Sequence, residues 1–115
     1  MEKRKPDRDI QESSEIVIGF HGYGPNEMSE AARSFEDEVL ALLPDHGGRL
    51  IFRGTRRKDQ PEAEPLEFHV LWFPGQPSLD RYLADERRDM AMRRHGEVFT
   101  EKRVVFLDAL TSMSI

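Results

Sequence analysis

Residues 67–85 read EFHVLWFPGQPSLDRYLAD. With Leu66 before them, the first seven form a short run, residues 66–73, rich in aromatic and aliphatic side chains and bounded by prolines, as a strand requires. Side chains alternate between the two faces of a strand. Glu67, His69, Leu71 and Phe73 therefore share one face, and Phe68, Val70 and Trp72 share the other. Pro74-Gly75-Gln76-Pro77 then ends the strand and launches a helix, whose apolar face begins with Leu79, Tyr82 and Leu83. Asp85 is placed to restart that helix as a second segment. Both faces of this strand carry bulky apolar groups, so both need cover.

Working outward, three more runs have the same two-faced character: residues 15–21, 49–56 and 103–108. In the first, Ile16, Ile18 and Phe20 fall on one side and Val17 and His21 on the other, with Gly19 leaving room for close approach. A helix is expected between the first two runs. Asn26 is a plausible N-cap, and Glu27 and Glu30 suit the positive end of the dipole. Met28, Ala31, Ala32, Phe35, Val39 and Leu42 form the expected apolar stripe, which leaves Arg33, Glu36, Asp37 and Glu38 facing water. Pro44 disturbs the last turn, and Gly47 or Gly48 supplies a left-handed stop. The polar link 57–65 is short enough to join its flanking strands as an antiparallel hairpin. Met90, Val98 and Phe99 are expected to close over the sheet.

The resulting order is strand, helix, strand, strand, helix, strand, the split βαβ or ferredoxin-like plan. It predicts an α+β protomer with a four-stranded antiparallel sheet and two helices on one face. Two helices cover one face, so the natural cover for the other is a second copy, giving a homodimer through the sheet face. The domain is expected over residues 16–110. Residues 1–15 hold Ile10 as their single large apolar residue and read as a disordered arm. Residues 111–115 read as a C-terminal tail.

The whole chain narrows the function classes. At 115 residues it is one domain, with 37 % apolar and 34 % charged residues. A net charge of −5 argues against nucleic-acid binding through phosphate contacts. The absence of cysteine removes disulfides, thiolate metal sites and cysteine nucleophiles. No apolar stretch approaches the ~18 residues of a membrane span. The N-terminal residues lack the apolar core of a signal peptide, so a cytoplasmic protein is expected.

The stretch HGGRLIFRG (46–54), taken with 67–85, resembles the dimeric α/β-barrel superfamily. More narrowly it is similar to the uncharacterised single-domain branch related to antibiotic-biosynthesis-type monooxygenases. The resemblance covers about residues 16–110. It implies a ferredoxin-like protomer whose sheet faces that of a second protomer to close a barrel. Members of the superfamily include cofactor-free oxygenases, isomerases, haem enzymes and proteins without assigned activity, and fold does not choose among them.

Few residues carry chemistry. The histidines are His21, His46, His69 and His95, and the polar aromatics are Tyr23, Trp72 and Tyr82. His46 stands at a helix end, where an imidazole can cap carbonyls. His21 ends the first strand beside a glycine-containing turn, and His69 sits mid-strand, either as a core histidine or as a proton acceptor. His21, His69, Trp72 and Tyr82 are the candidate ligand-binding residues, in a cleft reached by the end of the first strand and the middle of the third. No catalytic residue is identified. No pair of histidines has chelate spacing, so no metal is expected. The turn 22–27 lacks both the third glycine of a dinucleotide loop and the lysine of a P-loop, so no cofactor is expected. Ser13, Ser14, Thr111 and Ser112 have no base near them in sequence, and there is no serine-hydrolase elbow.

Three functions follow. One is a small homodimer binding an apolar or aromatic molecule in its barrel, with Phe20, Phe52, Trp72 and Phe106 as walls. The second is a cofactor-free monooxygenase-like or isomerase-like enzyme in which His21, His69 or Tyr82 handles a proton. The third is a purely structural dimerisation module. An enclosed cavity containing a histidine favours the second; a solidly packed barrel favours the third.

Overall fold

The computed structural model describes residues 14–110. The expected arm lies outside the described residues up to position 13, and the expected tail 111–115 lies outside them as well. Strand β1 (Ile16–Tyr23) is followed by helix α1 (Glu30–Leu40), a 3-10 turn (Leu43–His46) and strand β2 (Arg49–Thr55). Strand β3 (Glu67–Phe73), helices α2 (Gln76–Leu83) and α3 (Glu86–His95) and strand β4 (Glu101–Leu107) complete the domain. The strands lie in the order β2-β3-β1-β4, every neighbouring pair antiparallel. This is the ferredoxin-like arrangement.

Local chemistry sets the element ends. Ser29 rather than Asn26 caps α1: its backbone is extended and its hydroxyl accepts from the Ala32 N–H at 3.0 Å. Asn26 instead takes a positive φ of 61°, which its short polar side chain tolerates in the turn. The helix starts later than the sequence suggests, so Met28 falls outside it. Pro44 sits inside the 3-10 turn, and Gly47, at φ 77°, makes the left-handed stop. Asp85 does restart the second helical run, accepting from the Arg87 N–H at 2.9 Å. Gly22 lets β1 pass under Phe99, because a Cβ there would come within 2.7 Å of the ring.

The helices lie on one face of the sheet and build the core against it. Ile18, Leu71 and Phe73 from the strands meet Leu40, Leu43, Leu79 and Tyr82. Phe35 and Val39 pack on Ala91, flanked by Met92 and Val98. Met90, expected inside, points outward, while its neighbour Ala91 is buried. Full burial of each large apolar side chain contributes about 1.5–3 kcal/mol, so this layer carries the stability of the domain. The helices do not extend across β4, and Val104 and Phe106 on the helix side remain exposed.

The opposite face has no helix. Its centre is aromatic: His21 stacks on Phe68 at 4.9 Å, Phe52 tilts against Phe68, and Arg49 lies over Trp72 at 5.5 Å. Phe52, Val105 and Leu107 are exposed there. Among the described residues no helix is long and apolar enough to cross a membrane.

Candidate functional site

The alternation of β3 sends Glu67 and His69 toward the helices, where both are 2 % exposed. Cross-strand pairing brings Phe20 of β1 beside His69 on one side and Arg53 of β2 beside it on the other. The Phe20 ring stacks on the imidazole at 5.0 Å. From above, α1 lowers Glu36 onto the same spot, and this side chain is also buried. Glu36 was expected in water. Its position follows from the true register of the stripe, in which residues 32, 35, 36, 39 and 40 share the buried face.

These groups form a chain. His69 Nδ1 faces Glu36 Oε1 at 3.8 Å, and His69 Nε2 hydrogen-bonds Glu67 Oε2. Arg53 donates Nε–H to the same Glu67 oxygen at 2.8 Å and a terminal N–H to Asp37 at 2.7 Å. Burial pushes the Glu67 carboxyl up, but the hydrogen bonds from His69 and Arg53 outweigh it and hold the group below its ordinary value. Glu67 is thus a carboxylate at neutral pH that accepts from His69 Nε2–H, which turns Nδ1 of the ring toward Glu36. Glu36 has the opposite balance. Burial pushes it up to about 7, opposed by the His69 and Arg53 charges and reinforced by Glu67. A carboxyl poised near neutrality beside an imidazole nitrogen can give or take a proton at physiological pH.

The chain opens on a cavity of about 310 Å³ between the sheet and the helices. Its walls are mostly apolar, with Ile18, Leu71, Phe73 and Leu79 among them, and the polar groups are Glu36, His69, Tyr82, Arg88 and Lys102. The Tyr82 hydroxyl donates to the Val39 carbonyl at 2.8 Å, and burial pushes its pKa up, so it stays a neutral phenol. An apolar pocket with a few convergent polar groups, one of them with a strongly shifted pKa, has the anatomy of a small-molecule site.

The four candidate residues divide between the two faces. His69 and Tyr82 line the cavity, whereas His21 and Trp72 lie on the helix-free face. The four aromatics expected to wall a barrel divide in the same way: Phe20 and Phe106 line the helix-side cavity, and Phe52 and Trp72 face away from it. His46 does not cap carbonyls with its ring; Nε2 pairs with Asp85 Oδ2 at 2.8 Å, tying the 3-10 turn to the start of α3. His95 pairs similarly with Glu38, joining α3 to α1.

Sequence reasoning missed Glu36, Arg53 and Arg88 as site residues. The signal for Glu36 was present: a carboxylate three or four residues from Ala32, Val39 and Leu40 lies on their stripe. Arg53 had no such signal, because its partner Glu67 is chosen by strand pairing.

Glu36, Glu67 and His69 each offer one ligand atom, all within 4.8 Å of one another. The trio therefore has donor types suited to a divalent cation, a grouping that residue spacing did not show. Their geometry is a bridge more than a chelate. The carboxylates address opposite nitrogens of the ring, and Arg53 already holds the Glu67 oxygen.

No family model matches the chain. No curated protein matches it by sequence. Solved structures do match its fold. A protein of unknown function from Rhodopseudomonas palustris superposes with a TM-score of 0.63 at 13% identity, over 94% of this chain and 97% of that one. An uncharacterised NIPSNAP-like domain protein from Burkholderia xenovorans gives 0.63 at 18% identity, over 88% and 89% of the two chains. SnoaB, a cofactor-independent oxygenase from Streptomyces nogalater, gives 0.58 at 12% identity, over 87% and 97%. The chain shares the ferredoxin-like fold of NIPSNAP proteins and of cofactor-independent oxygenases, as its sequence resemblance implies. At these identities the likeness concerns the fold.

Proposed function

We propose that this protein is an acid–base enzyme that moves a proton on a small, mainly apolar molecule held in the helix-side cavity. The observation that carries this reading is the buried Glu36–His69–Glu67 chain in the cavity wall. Glu67 and Arg53 orient the imidazole, and the Glu36–His69 pair provides a base and an acid at neutral pH. Removing a proton from carbon beside a carbonyl would leave an enolate. That enolate can be reprotonated at another carbon, which is isomerisation, or can pass electrons to dioxygen, which is the oxygenase outcome. The fold shared with a cofactor-independent oxygenase supports the second outcome as much as the first.

The test is deuterium exchange at the α-carbon of 2-tetralone, a bicyclic enolisable ketone, followed by NMR in heavy water, with oxygen uptake recorded in parallel. Catalysed exchange is expected, and His69→Gln or Glu36→Gln should lower it by about 10²-fold or more. An absence of catalysed exchange, or an unchanged rate in His69→Gln, overturns the proposal. Oxygen uptake separates oxygenase from isomerase.

The helix-free face supports a second element, a homodimer joined sheet to sheet. Phe52, Val105 and Leu107 are exposed beside the His21–Phe68 stack. Contiguous exposed apolar surface of this kind is characteristic of a protein interface. Sedimentation should give a dimer at micromolar concentration; a stable monomer overturns it.

A further inference from the structure

Arg88 and Lys102 make no hydrogen bond or ion pair within the Glu36–His69–Glu67 chain, although the Arg88 charge acts on Glu36 from a distance. Arg88 enters the cavity wall from α3, its guanidinium lying over the Tyr82 ring at 4.9 Å. A terminal N–H makes a long contact to the Leu83 carbonyl, 3.4 Å, and the buried Nε has no hydrogen-bond partner. Lys102 enters the wall of the same cavity from β4, where the helices leave the sheet uncovered. Among the described residues neither cation forms an ion pair. Arg88 is half-buried, and its buried Nε–H is a cationic donor without an acceptor, a place that an anionic oxygen of a ligand can fill. The facing acid, Glu36, does not fill that place, because burial keeps it protonated below neutrality.

We infer that the cavity selects an apolar molecule carrying a single carboxylate, received by Arg88 with Lys102 as a second cation at the open β4 side. Guanidinium is suited to carboxylate, since its fork of donors matches the two oxygens and the apolar walls strengthen the attraction. The rest of the lining, which includes Leu40, Leu71, Phe73 and Leu79, suits an aliphatic or ring body and has no second cationic cluster. One charged end and one apolar end are therefore specified. The inference rests on the cavity being the ligand site of the proposed enzyme, and it is independent of the proton chemistry assigned to Glu36 and His69.

The experiment is calorimetric titration of the full chain with octanoate and with 1-octanol at about pH 6, where Glu36 is uncharged. The two probes share a chain and differ in head group. Octanoate should bind about tenfold or more tightly than octanol. Arg88→Met should erase that preference while leaving octanol affinity unchanged. Lys102→Met, at an exposed position that folding does not need, should reduce the preference by about two- to fivefold. His69→Gln, which removes the proton chemistry, should keep it. Equal affinities, tighter octanol binding, failure of both probes to bind, or a full preference retained in Lys102→Met and Arg88→Met overturns the inference. Octanoate preference in an unmodified protein that catalyses no ketone exchange overturns the catalytic reading instead.

Discussion

The two faces of the sheet invert the usual relation between polarity and burial. On β3, the row facing the helices is Glu67, His69, Leu71 and Phe73, and all four are buried. The opposite row is Phe68, Val70 and Trp72, entirely aromatic and aliphatic, and each is only partly buried. Charged groups are thus inside and apolar groups toward solvent. Burying Glu67 and His69 costs desolvation that an apolar pair would not incur, so those residues answer to chemistry more than to stability. An aromatic face half-open to water has no stability rationale as a monomer. On the reading proposed above, one face carries the site and the other meets a second copy of the chain.

The sharpest way to break this contrast is to mutate neighbours that point in opposite directions. Glu67→Ala leaves His69 and Arg53 without their shared acceptor in a buried place, and should cost about 3–5 kcal/mol in urea unfolding. Phe68→Ala, one residue away on the other face, removes a partly buried ring without leaving a polar group unpaired and, measured on the monomer, should cost clearly less. Equal costs would mean that the two rows are not energetically distinct.

Acidity offers a second test. Glu36 has a folded pKa raised to about 7 from 4.5. A raised folded pKa means that the folded state holds the proton more tightly. The associated stability is fully present below pH 4.5 and is lost as pH rises through about 7. Stability should therefore decline across that window by an amount on the order of 2–3 kcal/mol, and Glu36→Gln should flatten the decline. A window that persists in Glu36→Gln would place the titration elsewhere.

On the helix-free side, Phe52→Asp should shift sedimentation from dimer to monomer while leaving ketone exchange in the helix-side cavity within about twofold, because surface substitutions away from a site are close to neutral. Loss of exchange on monomerisation would show that the faces are coupled. The smallest expected effect is local. Ser29→Ala removes the α1 cap and should cost about 1 kcal/mol, and by loosening the helix that carries Glu36 it should slow exchange more than it lowers octanoate affinity.

Much of the architecture was legible because periodicity and punctuation are local properties. The two-residue alternation of β3 placed His69 and Trp72 on opposite faces, as the structure has them, and left to the packing which of the two meets the helices. Pro44, Gly47 and Asp85 ended or restarted elements where expected. The α1 register was not legible in the same way. Asn26 and Ser29 are both competent caps, which left the helix start open, and the charge of Glu36 argued for water although its spacing from Ala32, Val39 and Leu40 puts it on the buried face. Placing that one side chain by its charge was sufficient to hide the cavity carboxyl whose pKa burial raises.

The sequence by itself determined the order of elements, the antiparallel plan and the presence of two apolar sheet faces, because each depends on side-chain type at short spacing. Only the tertiary structure decided which polar groups meet. Arg53 reaches Glu67 through strand pairing, Glu36 reaches His69 through helix-on-sheet packing, and Arg88 and Lys102 enter one cavity from elements remote in the chain. Those distances are set by the burial of the apolar layer around them, a sum over many long-range contacts that no local spacing encodes.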